Sequence, residues 1–145
     1  MNTHKKSQTF FIVDDDADDQ EIVTDILKEL SVPNKLVYFN LCADALTFLK
    51  STTKQPFIIL CDINLPQQNG LDFKKQIDAD KELRHKSIPF IFYSTAATKA
   101  VVTKAFTEMT VQGFFQKSSN MKELKHAMFT INEYWKLCKH PNADF

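Results

Sequence analysis

Long apolar runs, a paired set of cysteines and a clustered basic face are all missing from this 145-residue chain. No apolar stretch approaches the roughly 20 residues that a membrane-crossing helix needs, so no membrane contact is expected. The N-terminal MNTHKKSQT is polar and lacks the apolar segment of a secretory signal. Cysteine occurs only at Cys42, Cys61 and Cys138, an odd set with wide spacing and no CxxC metal pattern. A reduced, cytoplasmic setting is the expectation. Arg84 is the sole arginine and the lysines are dispersed. That argues against direct nucleic acid binding with base-specific reading, which leans on bidentate arginine. Net charge is also absent, with 18 basic and 18 acidic residues. What is present is enough core for one domain: 43% of residues are hydrophobic and 25% charged, a globular rather than a disordered balance.

The chain is organised around Phe57–Gly70, FIILCDINLPQQNG. Phe57–Cys61 is a continuous apolar run, as a strand buried on both faces requires, and Cys61 within it reads as a small buried thiol. It ends on Asp62, and the turn residues Pro66, Asn69 and Gly70 follow. In an open parallel sheet, chemistry gathers just beyond the carboxyl ends of the strands. Taken alone, an aspartate in that place more often caps the next turn.

Further strands are predicted at Thr9–Val13, Lys35–Phe39, Ile88–Tyr93 and Val111–Gln116. Apolar residues at helical spacing predict helices through Ile22–Leu30, Asp44–Lys50, about Leu71–Asp80, Val101–Met109 and Met121–Cys138. Lys81–Ser87 reads as a charged linker. Five strands alternating with five helices imply right-handed βαβ units: a (βα)5 doubly wound α/β fold, a parallel sheet covered on both faces. Residues 1–145 form one domain, with a core at about 8–139 and short polar tails.

Four strand ends carry polar groups: Asp14 with Asp15, then Asp62, Ser94 and Lys117. In the flavodoxin-like order 2-1-3-4-5 the first and third strands are neighbours, so Asp14, Asp15 and Asp62 share one acidic pocket. Carboxylates this close repel unless a cation lies among them. Hard oxygens in a compact site suit Mg²⁺. Lys117 and the Ser94 hydroxyl can contact phosphoryl oxygens. A nucleophile, a metal and two donors are the parts needed to phosphorylate a carboxylate. Asp16, Asp18 and Asp19 read as an acidic cluster favoured by a helix N-terminus. An EF-hand loop is rejected, because Asp19 stands where glycine is needed and Asp25 where a bidentate glutamate is needed.

Over about residues 8–139 the sequence resembles the receiver domain of two-component response regulators, of the chemotaxis-regulator type. The resemblance rests on VDDD at Val13–Asp16, DINLPQQNG at Asp62–Gly70, IPFIFYST at Ile88–Thr95 and GFFQK at Gly113–Lys117. It implies that Asp62 is the phosphoacceptor and that Asp14, Asp15, Asp62 and the backbone carbonyl of Asn64 hold the metal. It further implies that Ser94 and Lys117 contact the phosphoryl group and that Ser94 and Phe114 form the switch. Asn64, Thr95 and Ala96 fall where the family tunes loss of phosphate, and Gly70 and Gly113 fall on its glycine positions. The implied donor is a phosphohistidine on a histidine kinase or histidine phosphotransfer protein. The implied readout is a downstream protein, since no output domain is seen. One departure stands out: Ser118 follows Lys117 where the family has a proline with a cis bond. A cis bond before a non-proline residue costs roughly 3–4 kcal/mol, so a trans Lys117–Ser118 bond and an altered loop are expected. Two rivals are a receiver that no longer takes phosphate and a turnover phosphatase. The intact acidic, hydroxyl and lysine set argues against the first. The single acid of Cys61-Asp62-Ile63-Asn64 argues against the second.

Overall fold

The structure, a computed structural model, describes residues 9–30, 35–52 and 56–141. In chain order the elements are β1 (Thr9–Val13), α1 (Ala17–Glu29), β2 (Lys35–Phe39), α2 (Cys42–Ser51), β3 (Ile58–Cys61) and α3 (Gly70–Ala79). They continue with α4 (Lys81–His85), β4 (Phe90–Ser94), α5 (Lys99–Glu108), β5 (Gly113–Gln116) and α6 (Met121–Leu137). The five strands pair in parallel in the order β2-β1-β3-β4-β5, the expected doubly wound sheet.

Burial along each strand follows its place in that order. The inner strands β3 and β4 are buried at every position, and β1 at all but its first, whereas the edge strands β2 and β5 have no fully buried residue. Strands covered on both faces must read as unbroken apolar runs, which is why β1, β3 and β4 stand out in the sequence. One face packs Phe11, Val13, Ile59, Phe90 and Phe92 with Leu49 of α2, Phe73 of α3 and Ala105 of α5. The other packs Phe10, Ile12, Leu60 and Tyr93 with Val23 and Ile26 of α1 and Met128 of α6.

There are six helices among the described residues, not five, and the correction falls on Lys81–Ser87. Lys81–His85 forms α4 because Asp80 caps it, its side chain accepting from Leu83 N at 3.0 Å, and because Leu83 is buried. One apolar residue in five shows no period, so the segment looks like linker by pattern. β4 starts at Phe90 and β5 at Gly113, each two residues later than the apolar runs suggest. No described peptide bond is cis, so the Lys117–Ser118 bond is trans as expected.

Candidate functional site

Register brings the site residues together. Val13 pairs with Cys61, so the next residues, Asp14 and Asp62, leave adjacent strands side by side. Each extends the ladder by one bond: Asp62 N donates to Val13 O at 2.9 Å and Asp14 N to Phe39 O at 3.0 Å. On the other side Ser94 ends β4, and Lys117 N donates to Ser94 O at 3.0 Å, one bond past β5. Asp14, Asp62 and Lys117 therefore start from backbone that the sheet still holds, which limits how far their side chains stray. Gln20 adds a brace, its Nε2 donating to Asp14 O at 2.6 Å and to Asn40 Oδ1 at 2.9 Å.

The two oxygens of Asp62 have different company. Oδ1 accepts from Ile63 N at 2.6 Å and from the fully buried Ser94 Oγ at 2.5 Å, with Asn64 N at 3.4 Å. Among the described residues, Oδ2 accepts only from Lys117 Nζ, at 2.8 Å. A carboxylate locked on one oxygen by backbone and hydroxyl, and held on the other by a long flexible side chain, has one oxygen that can be freed to react.

The β3–α3 turn keeps Asp62 in place. Gly70 N donates to Ile63 O at 2.8 Å, and a Cβ at Gly70 would lie 2.1 Å from Asp62 O. That close approach is why glycine stands there. At Gly113 a Cβ would meet Phe115 and Ile91 at 3.6–3.7 Å, ordinary contact distances, so no such constraint acts there.

Lys117 Nζ lies 2.8 Å from Asp14 Oδ2, 2.8 Å from Asp62 Oδ2 and 2.7 Å from Asp19 Oδ2, with the Tyr93 ring centroid at 5.6 Å. Burial works to lower the Lys117 pKa, but the hydrogen bonds it donates to Asp14, Asp19 and Asp62 outweigh it, and the ammonium is held above its ordinary value. Burial raises the Asp14 carboxyl despite Lys117, with Asp62 adding to the rise. Burial also pushes the Tyr93 hydroxyl up to about 12. This pocket carries more carboxylate than one lysine neutralises.

The remaining sequence candidates fall around this centre. Asp15 is exposed, and its side chain has no hydrogen bond among the described residues. Asn64 and Thr95 are exposed, while Ala96 is half-buried with its N–H on Ser94 Oγ at 3.2 Å. Phe114 is half-buried, its ring 5.7 Å from that of Phe92. Ser118 replaces the family's proline with hydrogen bonds: its Oγ donates to Glu123 Oε2 at 2.6 Å and accepts from Asn120 N at 3.0 Å, tying the loop to the start of α6. Asp16, expected only as part of an acidic cluster at the helix N-terminus, is the cap of α1, accepting from Asp18 N and Asp19 N. Asp19 is not merely part of a solvated cluster, since it reaches Lys117. The signal was present: residues 19, 23, 26 and 27 fall on the stripe of α1 whose other members are all buried.

Among the described residues no group of three or more His, Cys, Asp or Glu side chains converges on a point fit for a metal. The carboxylates converge on Lys117 instead. The donor chemistry still fits a hard divalent cation, because such an ion keeps most of its waters and takes only one or two carboxylates. A buried Asp14 whose charge is poorly compensated beside Asp62 is a place where added positive charge is favourable.

A cavity of about 310 Å³ lies at the opposite end of the sheet, lined among others by Lys74, Asp78, Pro89, Phe90 and Thr110. Lys74, Asp78 and Thr110 are spent on structure. Asp78 takes Lys74 Nζ at 2.9 Å and Thr110 N and Oγ1 at 2.9 and 2.8 Å, fastening α3 to the turn before β5.

Residues 10–129 match the family model described as the response regulator receiver domain. The chain is 30% identical over 129 residues to chemotaxis protein CheY-3 of Vibrio cholerae, covering 88% of this chain and 94% of that one. It is 26% identical over 133 residues to response regulator Rcp1 of Synechocystis sp., covering 88% of each. Among solved structures, the phosphorylated cyanobacterial phytochrome response regulator RcpA superposes with a TM-score of 0.83 at 24% identity, over 94% of this chain and 99% of that one.

Proposed function

This chain belongs to the response regulator receiver domain family, and from that premise we propose that Asp62 accepts a phosphoryl group from a phosphohistidine. The donor is a histidine kinase or a histidine phosphotransfer protein, and a downstream protein reads the result. Residues 1–145 act as one receiver unit. Family members of this kind are components of two-component systems and signal rather than turn over a separate substrate. No helix among the described residues is long and apolar enough to cross a membrane.

The observation that carries this reading is the asymmetry of Asp62: among the described residues, Oδ1 accepts from Ile63 N and Ser94 Oγ while Oδ2 is held only by Lys117. Oδ2 attacks phosphorus in line. A P–O bond forms, the P–N bond to the donor imidazole breaks, and its electron pair stays on the ring nitrogen. Lys117 leaves Oδ2 and pairs with a phosphoryl oxygen, so charge spreading over the phosphoryl group meets a fixed cation. Asp14, Asp15, Asp62 and the Asn64 carbonyl are the residues to hold a divalent ion. Mg²⁺ is the ion proposed, supplying charge neutralisation at the phosphoryl oxygens when bound. Metal-bound relatives support it: a Mn²⁺-bound form of Rcp1, and a receiver domain of a Pseudomonas aeruginosa sensor kinase with magnesium in its active-site cleft.

Signalling follows from Ser94. Its hydroxyl leaves Asp62 Oδ1 for the phosphoryl group, and the space it vacates favours rotation of Phe114 from its present contact with Phe92 towards Ser94. That biases the face formed by α5, β5 and α6 between two states, and a partner that prefers one of them reads the signal. Phe106 of α5 and Met121 of α6 are 51% and 49% exposed, apolar surface such a partner can cover.

Incubation with acetyl phosphate and Mg²⁺ is expected to add one base-labile phosphoryl group by intact mass, and Asp62→Asn is expected to abolish it. Full labelling of Asp62→Asn would overturn the assignment.

A further inference from the structure

We propose that Asp19 is a positioning residue for Lys117, a tether that keeps the ammonium at the pocket when its other two carboxylates are engaged elsewhere. This rests on the proposed function of Asp62. Lys117 has three N–H donors and spends them on three carboxylates, Asp14, Asp19 and Asp62, at 2.7–2.8 Å. Two of those partners stand at the ends of β1 and β3 and are the ones asked to bind the cation and the phosphoryl group. Asp19 stands apart from both, in the first turn of α1. Among the described residues, its Oδ2 is the one hydrogen-bond acceptor of Lys117 Nζ that neither event needs to displace.

The consequence is geometric. Freeing Asp62 Oδ2 requires the ammonium to move by roughly the width of one contact and to stop where a phosphoryl oxygen arrives. A lysine side chain released from every anchor samples many rotamers, and that lost positioning slows transfer. With Asp19 in place, the ammonium turns about one fixed contact instead of leaving the pocket. Asp19 is about one-third exposed at its side chain while Lys117 is 10% exposed, so the tether lies at the rim with the charge it holds inside.

A purely structural role for Asp19 is separable. As an acid in the first turn of α1 it also interacts with the helix dipole. Asp18 shares that turn and has no side-chain partner among the described residues, so Asp18→Asn reports the dipole alone.

The test uses the full chain. Labelling by acetyl phosphate is followed at saturating Mg²⁺ for the wild type, Asp19→Asn, Asp19→Glu and Asp18→Asn. Asp19→Asn is also compared in a Lys117→Gln background. The expected result is a labelling rate lowered about three- to tenfold in Asp19→Asn, the range for loss of one partly exposed charge-assisted contact. Partial recovery is expected in Asp19→Glu, no change in Asp18→Asn, and no further loss when Asp19→Asn is added to Lys117→Gln. Binding supplies a second readout: the Mg²⁺ dissociation constant of Asp19→Asn stays within about twofold of wild type, because the tether is not a metal ligand. Nitrogen-15 NMR supplies a third: in Mg²⁺-saturated protein the Lys117 ammonium protons exchange slowly in wild type and fast in Asp19→Asn. A wild-type rate in Asp19→Asn, equal slowing in Asp18→Asn, or equal slowing with and without Lys117 would each overturn the tether. Those outcomes, with Asp62→Asn unlabelled, leave Asp62 as acceptor; labelling of Asp62→Asn removes the acceptor reading itself.

Discussion

Replacing Lys117 with methionine keeps the unbranched stem, one atom shorter, and removes the charge, which leaves Asp14, Asp19 and Asp62 facing one another. At 2.8 Å and an effective dielectric near 20, each contact corresponds to about 6 kcal/mol of Coulomb attraction before desolvation is counted. Desolvation offsets most of that, and deleting one partner of a buried pair typically costs about 3–5 kcal/mol. Asp19 is partly screened by solvent, so the lower end applies, and Lys117→Met is expected to lose about 3 kcal/mol by urea unfolding at pH 7. The pH dependence has a definite sign. The Lys117 pKa is raised in the folded protein, so its contribution is complete below the ordinary lysine value and fades only as pH rises through the raised one. On the acid side the wild type loses the contact as carboxylates take up protons. Asp14 is one of them, its carboxyl raised above the ordinary value by burial. The mutant loses its repulsion over the same range, so the gap between the two proteins narrows as pH falls towards the carboxylate values. Mg²⁺ is expected to stabilise the mutant more than the wild type, since no ammonium then competes for Asp14 and Asp62. A loss below about 1 kcal/mol at pH 7, or a gap unchanged by acid, would refute the view that Lys117 is the pocket's counterion.

Gly70→Ala is expected to cost about 2–4 kcal/mol in urea and to slow Asp62 labelling, because the added Cβ falls 2.1 Å from Asp62 O and pushes the β3–α3 turn. Wild-type stability there would show that the turn yields freely. Ala96→Glu is expected to shorten the lifetime of the phosphorylated form without changing its loading, by placing a water-orienting carboxylate beside Ser94. Decay of phosphoprotein after rapid removal of donor measures it, and an unchanged lifetime means that water placement is not limiting.

How much could be read from residues alone depended on what each element had to bury. β1, β3 and β4 are covered on both faces, and no sequence of mixed polarity could occupy them, so they were legible. So was the placing of Asp14 beside Asp62, since a parallel register aligns strand ends, whereas Asp15, expected in the same pocket, is exposed with no side-chain hydrogen bond among the described residues. α4 was not, because a five-residue helix with one buried side chain leaves no period to detect. Asp19 was misjudged for a different reason. In the first turn of a helix an aspartate is explained by the dipole, and that explanation hides a second partner nearly a hundred residues away in the chain. Only its place on the buried stripe of α1 distinguishes it from Asp18.

Ser118 stands where the resemblance to receiver domains implies a proline, and the local geometry is set by other means. A cis proline after the lysine would aim it by fixing the backbone. Here the bond is trans, and the aim comes from both sides of it: Lys117 N bonded to Ser94 O, and Ser118 Oγ bonded to Glu123 and Asn120 at the start of α6. The lysine's own end is then fixed by acids, not by the loop. Three carboxylates set where the ammonium sits, so the loop need only deliver it within reach. Asp19 on α1 and the trans Lys117–Ser118 bond are thus parts of one arrangement, in which side-chain electrostatics hold the end of the lysine that the backbone delivers.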